Sequence, residues 1–282
     1  MKILMAGCGD LGKRTALMLA PEHTCFGLNR RRSQLPSPIV SISADVTNVL
    51  DMKRVLAEPF DVVIVTVTPA AFCQSAYRDS YVAAAEALKS AVSLANHPPK
   101  LLIWTSSTRV YGDHGGAWVN EESCPFDQDF AGKSLLEAEL LISQLSCRYV
   151  VVRFSGIYGP GRKSFLNKIR SGGVRIQFPE KWTNRIHSDD CAAVFSHLIK
   201  RYFGGESLDP LYIASDCEPV TQKVVYEWLA KELGVDFQRP QGGVAKEYKI
   251  SRRCNNQRLL ESGFCFKYPT FRDGYRALIR ET

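Results

Sequence analysis

The sequence has no long apolar run. None of its 282 residues belongs to a stretch approaching the ~20 consecutive apolar residues of a membrane-spanning helix. Internal repeats and low-complexity segments are also missing, which argues against a disordered or fibrous chain. Hydrophobic residues make up 45% and charged residues 23%, the ordinary balance of a folded protein. We therefore expect a folded, cytoplasmic protein without a membrane partner.

The nine cysteines follow no metal-binding or disulfide spacing. Their number is odd, no two form a C-x-x-C pair, and no paired histidines accompany them. Structural zinc sites and secreted disulfide scaffolds show such spacings. The sequence thus predicts no metal site, and it predicts reduced thiols that are mostly buried as small apolar side chains.

The charge balance is only mildly basic. Thirty-six Lys and Arg against 29 Asp and Glu give a net charge of +7. Such an excess fits either anionic small molecules or a solvated basic surface. Basic clusters occur at Arg30-Arg31-Arg32 and Arg252-Arg253, but no nucleic-acid-binding motif accompanies them. We therefore expect a small-molecule partner rather than a nucleic acid.

Short apolar segments alternate with helical segments through the first half of the chain. Strands are predicted at 2–6, 25–28, 40–44, 61–67, 101–105 and 149–154. Helices are predicted at 11–20, 48–57, 79–96 and 131–146. The segment 61–67 is β-branched at nearly every position, which is typical of a strand buried on both faces. This alternation predicts an α/β fold with a Rossmann-type doubly wound parallel sheet.

The alternation becomes less regular in the second half. A strand is predicted at 211–214, and helices are predicted at 189–202, 221–233 and 271–280. We expect a dinucleotide-binding domain over 1–160 and a smaller C-terminal lobe over 161–282, interleaved with the sheet. The loop 113–129, which carries Asp127 among its acidic residues, has the length of a lid over a site.

A glycine loop follows the first predicted strand. Gly7, Gly9 and Gly12 form a G-x-G-x-x-G pattern where a helix begins, the context in which this pattern binds dinucleotides. The first glycine permits the tight turn, the second lets the backbone approach a pyrophosphate, and the third allows helix and strand to pack closely. Helix-start N–H groups, here around Asp10 and Leu11, then face the phosphates. A glycine turn without a ligand is the alternative.

The end of the second strand indicates which dinucleotide binds. An acidic residue there would hold the ribose hydroxyls of NAD. Depending on one residue of register, Asn29 or Arg30 occupies that position. An acid would repel a 2′-phosphate, whereas an arginine binds it bidentately. We therefore predict NADP(H), with NAD(H) as the alternative and a solvated basic loop as the interpretation without a ligand.

With its later motifs the chain resembles the extended short-chain dehydrogenase/reductases of the NAD-dependent epimerase/dehydratase type. The resemblance is carried by the glycine loop, Thr105-Ser106-Ser107-Thr108-Arg109-Val110-Tyr111-Gly112, Arg153-Phe154-Ser155-Gly156-Ile157-Tyr158-Gly159-Pro160-Gly161 and Ile186-His187-Ser188-Asp189-Asp190. It implies a nucleotide-sugar-like substrate and a homodimer formed through the helices near 79–96 and 131–146. It also implies that Asp45 and Val46 contact adenine and that Ser106 lies near the nicotinamide.

The resemblance fails at the expected acid/base pair. Ser107 matches the residue that hydrogen-bonds the reacting oxygen of the substrate. However, Ala131 stands where the family has its tyrosine, and Leu135 stands where it has its lysine. An alanine and a leucine cannot exchange a proton.

Other residues near these motifs are candidates for the missing acid/base function. They are Tyr111 first, then Tyr158, Asp129, Lys133 and His187. Each has a structural alternative. Tyr111 could be a packed aromatic, Asp129 and Lys133 a surface ion pair, and His187 a neighbour of Asp189 acting as a helix N-cap.

The second half adds few further candidates. Thr183 stands where the family has a phosphate-binding arginine, with Arg185 two residues later and Arg162 as another candidate. Trp118 and Trp182 are expected to pack in the core or in loops, with the lining of a pocket as the alternative.

These observations leave two functions open. One is an oxidoreductase or isomerase with altered acid/base residues, acting on a nucleotide-sugar-like or other small carbonyl or hydroxyl substrate. The other is a non-catalytic NADP(H)-binding sensor or regulatory module.

Overall fold

The computed structural model describes residues 1–31, 34–126, 129–162, 164–171, 181–235 and 251–280. Arg32 and Asp127, named above in the basic cluster and the acidic loop, lie outside the described residues. The chain divides into two compact units. The sheet unit comprises Met1–Val110, Asp127–Arg153 and Cys191–Tyr212, and the second unit comprises Tyr111–Phe126, Phe154–Asp190 and Ile213–Thr282. The boundary predicted near residue 160 falls inside Phe154–Asp190, a segment of the second unit.

Strands and helices alternate along the chain. The strands are β1 Lys2–Ala6, β2 Thr24–Asn29, β3 Val40–Ser43, β4 Val62–Val65, β5 Leu101–Ser107, β6 Trp118–Val119, β7 Arg148–Phe154, β8 Gly156–Tyr158, β9 Trp182–Thr183, β10 Arg185–His187, β11 Leu211–Ala214, β12 Val220–Thr221 and β13 Arg253–Cys254. The helices are α1 Asp10–Leu19, α2 Val49–Val55, α3 Gln74–Tyr77, α4 Ala83–Leu94, α5 Phe130–Ile142, α6 Ser164–Arg170, α7 Ser188–Phe203, α8 Gln222–Leu233, α9 Gln257–Glu261 and α10 Phe271–Arg280.

Seven strands form the central sheet in the order β11-β7-β5-β4-β1-β2-β3. β1 pairs in parallel with both β2 and β4, so the strand order reverses between β1 and β4. In an open α/β sheet, a ligand binds at the carboxyl ends of the strands where the order reverses. The predicted α/β fold with a doubly wound parallel sheet is confirmed, and its switch point lies directly after the glycine-loop strand.

The core of the sheet unit surrounds these central strands. The four residues of β4 are fully buried, as are Ile3 to Ala6 of β1. Helix α4 adds an alanine-rich face with Leu88 at its centre. Each fully buried Val, Leu or Ile contributes about 1.5–3 kcal/mol relative to an exposed one, so this layer holds the strand ends in place.

Two predicted helices differ from the observed ones. The segment 79–96, predicted as one helix, begins in a π-helical turn, Arg78–Val82, which follows α3. Only its later part is α-helical, and that part is α4. The helix predicted at 131–146 ends at Ile142. π-Turns are rare and often occur at functional sites, and apolar periodicity carries no signal for them.

The second unit contains three two-stranded pairs. β8 pairs with β10 and β6 with β13 in parallel, while β9 pairs with β12 in antiparallel orientation. The β6–β13 pair places part of the predicted lid loop in a strand. The apolar core of the second unit includes Tyr158, whose ring stacks on the Tyr275 ring with 4.5 Å between the centroids.

Several side chains of the second unit have structural roles. The Arg253 guanidinium lies 5.1 Å from the Trp118 ring and 4.6 Å from the Trp182 ring, so both tryptophans, which begin β6 and β9, pack against this arginine rather than in loops. Arg252 donates to the Gly112 carbonyl at 2.7 Å. Both arginines of this cluster therefore have partners within the second unit.

Two smaller expectations are wrong. Helix α7 begins at Ser188, so Asp189 lies inside its first turn rather than at the N-cap. Cysteines are also less buried than expected. The buried ones are Cys8, Cys25, Cys191 and Cys254, and the exposed ones are Cys73, Cys124, Cys217 and Cys265. Among the described residues, no helix has the length and apolarity needed to cross a membrane.

Candidate functional site

A cavity of about 440 Å³ opens in the sheet unit beside the ends of β1, β2 and β4. Six residues predicted to bind the cofactor line it, namely Gly7, Gly9, Asn29, Arg30, Asp45 and Val46. Sequence reasoning missed the polar residues that complete the lining, namely Thr47, Thr66, Thr68, Ser75, Asp79 and Ser80. The threonines directly after β4 could have been found, because that strand borders the switch point. Asp79 and Ser80 lie in the π-turn, which had no signal.

The three glycines of the loop have different surroundings. Gly7 has a φ of +91°, a conformation that other residues rarely adopt. A Cβ on Gly12 would lie 2.8 Å from the Gly7 carbonyl oxygen, so the start of α1 packs against the turn. A Cβ on Gly9 would meet no heavy atom within 4 Å. Gly9 therefore borders open space, as a backbone that receives a phosphate must.

Hydrogen bonds hold this loop in position. The N–H groups of Gly7 and Cys8 donate to the Leu28 carbonyl at 3.2 and 2.9 Å. The Thr66 hydroxyl donates to the Gly7 carbonyl at 2.5 Å. The turn is thus held by both neighbouring strands, β2 and β4.

The start of α1 is suited to an anion. In the described chain no side chain caps this helix at Gly9. Asp10 is exposed, with a carboxylate oxygen 3.8 Å from the Arg14 guanidinium, and Leu11 is buried. An uncapped helix N-terminus next to an open glycine is an arrangement that binds a pyrophosphate. The residues present therefore fit a dinucleotide.

The end of β2 carries Asn29 and Arg30, the two residues between which the sequence left the register open. Asn29 is the last strand residue, and its side-chain amide donates to the Cys8 carbonyl at 3.2 Å. Asn29 thus helps to hold the glycine loop. Arg30 follows it, is exposed, and lines the cavity. Both residues therefore border the cavity, and Arg30 brings a positive charge to it.

Asp45 lies across the cavity after β3. Its Oδ1 accepts from the backbone N–H and the hydroxyl of Thr47, at 2.9 and 2.8 Å. The Asp45 N–H donates to Asp51 at 2.8 Å, and this bond together with Arg54 lowers the pKa of Asp51. Asp45 therefore has a defined orientation, and Val46 beside it is buried.

Ser106 has a buried partner. Its hydroxyl donates to Glu139 at 2.5 Å, and Glu139 receives two further hydrogen bonds from Arg153, at 3.0 and 2.5 Å. All three residues are at most 9% exposed. This network connects β5, α5 and β7, and the Ser106 hydroxyl is one of its hydrogen-bond donors.

Ser107 and Tyr111 have unlike environments. Ser107 is half-buried, and its oxygen accepts from the Arg109 N–H at 3.1 Å. Tyr111 belongs to the second unit and is 0% exposed. Complete burial favours the packed-aromatic interpretation of Tyr111.

The replaced acid/base positions are also buried. Ala131 and Leu135 lie on the covered face of α5. Asp129 caps this helix by accepting from the Gly132 N–H at 2.8 Å, and it forms an ion pair with Arg109 at 2.5 Å. Burial acts to raise the pKa of Asp129, but hydrogen bonds from Arg109 and Gly132 outweigh it and hold that pKa below its usual range. Lys133 is exposed, and the carboxylate that was expected to pair with it contacts Arg109 instead.

The candidates of the second unit lie in an aromatic cluster. His187 is buried, and its Nδ1 accepts from the Asp189 N–H at 3.2 Å. The Tyr158 ring lies 5.3 Å from the His187 ring, and burial raises the Tyr158 pKa well above its usual value. A separate cavity of about 520 Å³ in this unit is lined by Tyr158, Thr183, Arg162 and Arg185, among others.

Comparison with known proteins places this geometry in a family. Residues 1–175 match the family described as RmlD substrate binding domain. A protein of Methylobacillus flagellatus designated an NAD-dependent epimerase/dehydratase is 34% identical over 99% of this chain and 98% of its own, with a TM-score of 0.83. No curated protein matches the sequence.

More distant structures share the fold. The human epimerase family protein SDR39U1 (isoform 2), solved with NADPH, is 17% identical over 100% of both chains, with a TM-score of 0.81. The UDP-glucose 4-epimerase of Thermotoga maritima, solved with UDP-glucose, is 14% identical over 99% of this chain and 100% of that chain, with a TM-score of 0.80. The chain therefore belongs to the RmlD substrate-binding-domain family and is an NAD(P)-binding, epimerase/dehydratase-like member of the extended short-chain dehydrogenase/reductases.

Proposed function

We propose that this protein binds NADP(H) in preference to NAD(H) and acts as an oxidoreductase or isomerase on a small carbonyl or hydroxyl substrate. The observation that carries the proposal is the cavity of the sheet unit. Its glycine loop and uncapped helix start fit a pyrophosphate, and an exposed arginine follows β2 where an acid would bind NAD.

Arg30 supports the choice of the phosphorylated cofactor. Asn29 already donates to the glycine loop, so the exposed Arg30 guanidinium is the group at this strand end with capacity for a phosphate. A guanidinium matches phosphate bidentately, and an aspartate or glutamate there would repel it.

The second unit supports an anionic substrate. Its cavity holds Arg162 and Arg185 beside the aromatic rings of Phe165 and Tyr275. Burial and the Arg185 charge both lower the pKa of Lys181, so the positive charge of this cavity comes from its two arginines. A nucleotide-sugar-like molecule has a phosphate for the arginines and a flat base for the rings. The proposal includes cytoplasmic location and a homodimer formed through α4 and α5.

Calorimetric titration with NADPH, NADP⁺, NADH and NAD⁺ tests the cofactor. We expect the two phosphorylated forms to bind more tightly. Arg30→Ala should weaken NADPH binding about 10- to 100-fold, which corresponds to the loss of hydrogen bonds between charged groups. The same variant should bind NADH with unchanged affinity. Arg31→Ala is the matched control beside it. Equal affinity of the wild type for NADPH and NADH would contradict the preference.

A non-catalytic NADP(H)-binding sensor is the second candidate. It is favoured by the burial of Ala131 and Leu135 at the positions of the usual acid/base pair. A protein that binds NADPH but never exchanges its hydride with any carbonyl compound would support the sensor over the enzyme.

A further inference from the structure

A polar and aromatic cluster lies beside the cofactor cavity in the sheet unit. Tyr77 ends α3, whose residues Ser75 and Ala76 line the cavity, and Asp79 and Ser80 line it again immediately afterwards. Tyr77 is half-buried, so part of its side chain is accessible to solvent. It is therefore a phenol placed between two cavity-lining segments.

The ring of Tyr77 is fixed by its neighbours. It lies 5.5 Å from the Phe130 ring in an edge-to-face arrangement and 5.6 Å from the Phe72 ring. Phe130 directly precedes Ala131, the residue that replaces the usual tyrosine. Phe72 is 62% exposed, which leaves an apolar surface next to the phenol. Aromatic contacts of this kind orient a ring without using its hydroxyl.

Arg109, the cation of an ion pair, lies beside the Phe72 ring. Arg109 is bonded to Asp129 at 2.5 Å, and its guanidinium lies 4.9 Å from the Phe72 ring. The Arg109 N–H donates to Ser107. The Tyr77 phenol and the Arg109 cation, from two separate segments, thus lie beside the exposed Phe72 ring, and the Ser107 hydroxyl is bonded to the Arg109 backbone.

We propose that Tyr77 is the proton donor of this protein, with Arg109 as its positioning residue and Ser107 as the second hydrogen-bonding group for the substrate oxygen. The inference rests on the proposed function, which supplies reduced nicotinamide as the hydride source. The fully buried Tyr111 cannot meet a substrate, whereas Tyr77 can.

In the reductive direction the substrate carbonyl gains one hydride and one proton. When bound, reduced nicotinamide would supply the hydride that the carbonyl carbon of the substrate accepts, and the π electron pair would move onto the carbonyl oxygen. That oxygen forms a bond to the phenol proton as the Tyr77 O–H bond breaks. Water then returns a proton to the phenolate. Arg109 stabilises the transient negative charge on the phenolate oxygen.

The resting charge state agrees with this role. Burial raises the pKa of Tyr77, Arg109 lowers it, and Asp129 raises it, with a net shift upward. Tyr81, on the π-turn, also packs on the ring, with 5.6 Å between the two ring centroids. Tyr77 therefore holds its proton at neutral pH.

Tyrosinate absorbance during a pH titration gives a test that does not depend on turnover. The difference between wild type and Tyr77→Phe isolates the ionisation of Tyr77. We expect saturating NADP⁺, whose nicotinamide is cationic, to lower this pKa by about one unit. Arg109→Gln should raise it, and Arg109→Lys should restore part of the shift. Tyr81→Phe, the matched control, should leave the NADP⁺-dependent change intact.

A second readout is NADPH oxidation with phenylglyoxal and 9,10-phenanthrenequinone as probes. The rate of NADPH oxidation should fall about 100-fold or more in Tyr77→Phe, because the general acid is lost. Retained NADPH affinity would show that this variant is folded. If NADP(H) does not bind the wild type, the proposed function and this inference both fail. If NADP⁺ binds and the Tyr77 pKa does not move, only this inference fails.

Discussion

At the scale of single residues, two glycines three positions apart perform different tasks. Gly12 has no room for a side chain, because its Cβ would lie 2.8 Å from a backbone oxygen and 3.1 Å from the Thr66 hydroxyl. Gly9 has room, but the room is the cavity itself. Packing therefore requires one glycine, and ligand binding would require the other.

Alanine substitutions should separate these two tasks. Gly12→Ala should lower the free energy of unfolding by about 1–3 kcal/mol, because the overpacked backbone must shift. Gly9→Ala should leave stability nearly unchanged and weaken NADPH binding at least about 10-fold, since a methyl group would occupy the phosphate position. Urea unfolding and calorimetry measure the two effects. A Gly9→Ala variant with normal NADPH affinity would contradict the placement of the phosphate.

Residue types and spacing were sufficient to predict the loop, but not the partners of its neighbours. The resemblance predicts that Ser106 lies near the nicotinamide, but nothing in the sequence indicates that its hydroxyl donates to Glu139. Glu139 lies 33 positions away, and no local pattern links the two residues. Arg109 was likewise missed as the partner of Asp129, because ion pairs across elements have no fixed spacing.

At the scale of elements, helix α5 carries two glutamates in unlike surroundings. Glu139 faces β5 and β7 in the buried bond network with Ser106 and Arg153. Glu137 pairs with Arg78 at 2.5 Å, with both side chains 40% exposed or more. A buried charge left without its partner is costly, and an exposed pair is weakened by solvent.

Removal of each carboxylate should therefore give different results. Glu139→Ala should destabilise the sheet unit by about 3–5 kcal/mol, because the Arg153 charge would remain buried. Glu137→Ala, two positions away on the same helix, should alter the unfolding midpoint far less. Denaturant unfolding of both variants compares them directly. Similar losses would show that the buried network is not what ties α5 to the sheet.

Periodicity predicted the long elements well because burial on one or both faces leaves a repeat in the sequence. It failed where the backbone changes without a change of period, as in the π-turn at Arg78–Val82. The two-residue strands are too short to show any repeat. Two of the polar residues that line the cofactor cavity lie in that π-turn, so the site was less predictable than the sheet.

At the scale of the whole molecule, the second unit contains a buried acid that makes its stability depend on pH. Asp216 is 1% exposed, and its N–H donates to the Arg185 carbonyl at 2.6 Å. Burial raises the Asp216 pKa from 3.8 to about 8, against the opposing charge of Arg185 and a hydrogen bond from the Glu218 N–H. The folded protein therefore keeps a proton that the unfolded chain releases above its own lower pKa.

The sign of the pH effect follows from this difference. Between pH 3.8 and about 8 the folded state binds more protons at this site, so the free energy of unfolding should fall as pH rises through that window. Asp216→Asn should flatten this fall and should be more stable than the wild type at the upper end. Unfolding free energies across the window measure it. Parallel curves for both proteins would refute the assignment to Asp216.

The order of strands in the central sheet has a consequence for folding during synthesis. β11 lies at the edge of the sheet beside β7. In the sequence, β8, β10 and α7 all lie between these two strands, so they are synthesised before β11. Ribosomes add roughly 5–20 residues per second, so the outer edge of β7 stays open for several seconds after it emerges. An open strand edge invites pairing with other chains. The nascent protein therefore passes through a stage in which chaperone protection matters most, and that stage ends when β11 leaves the ribosome.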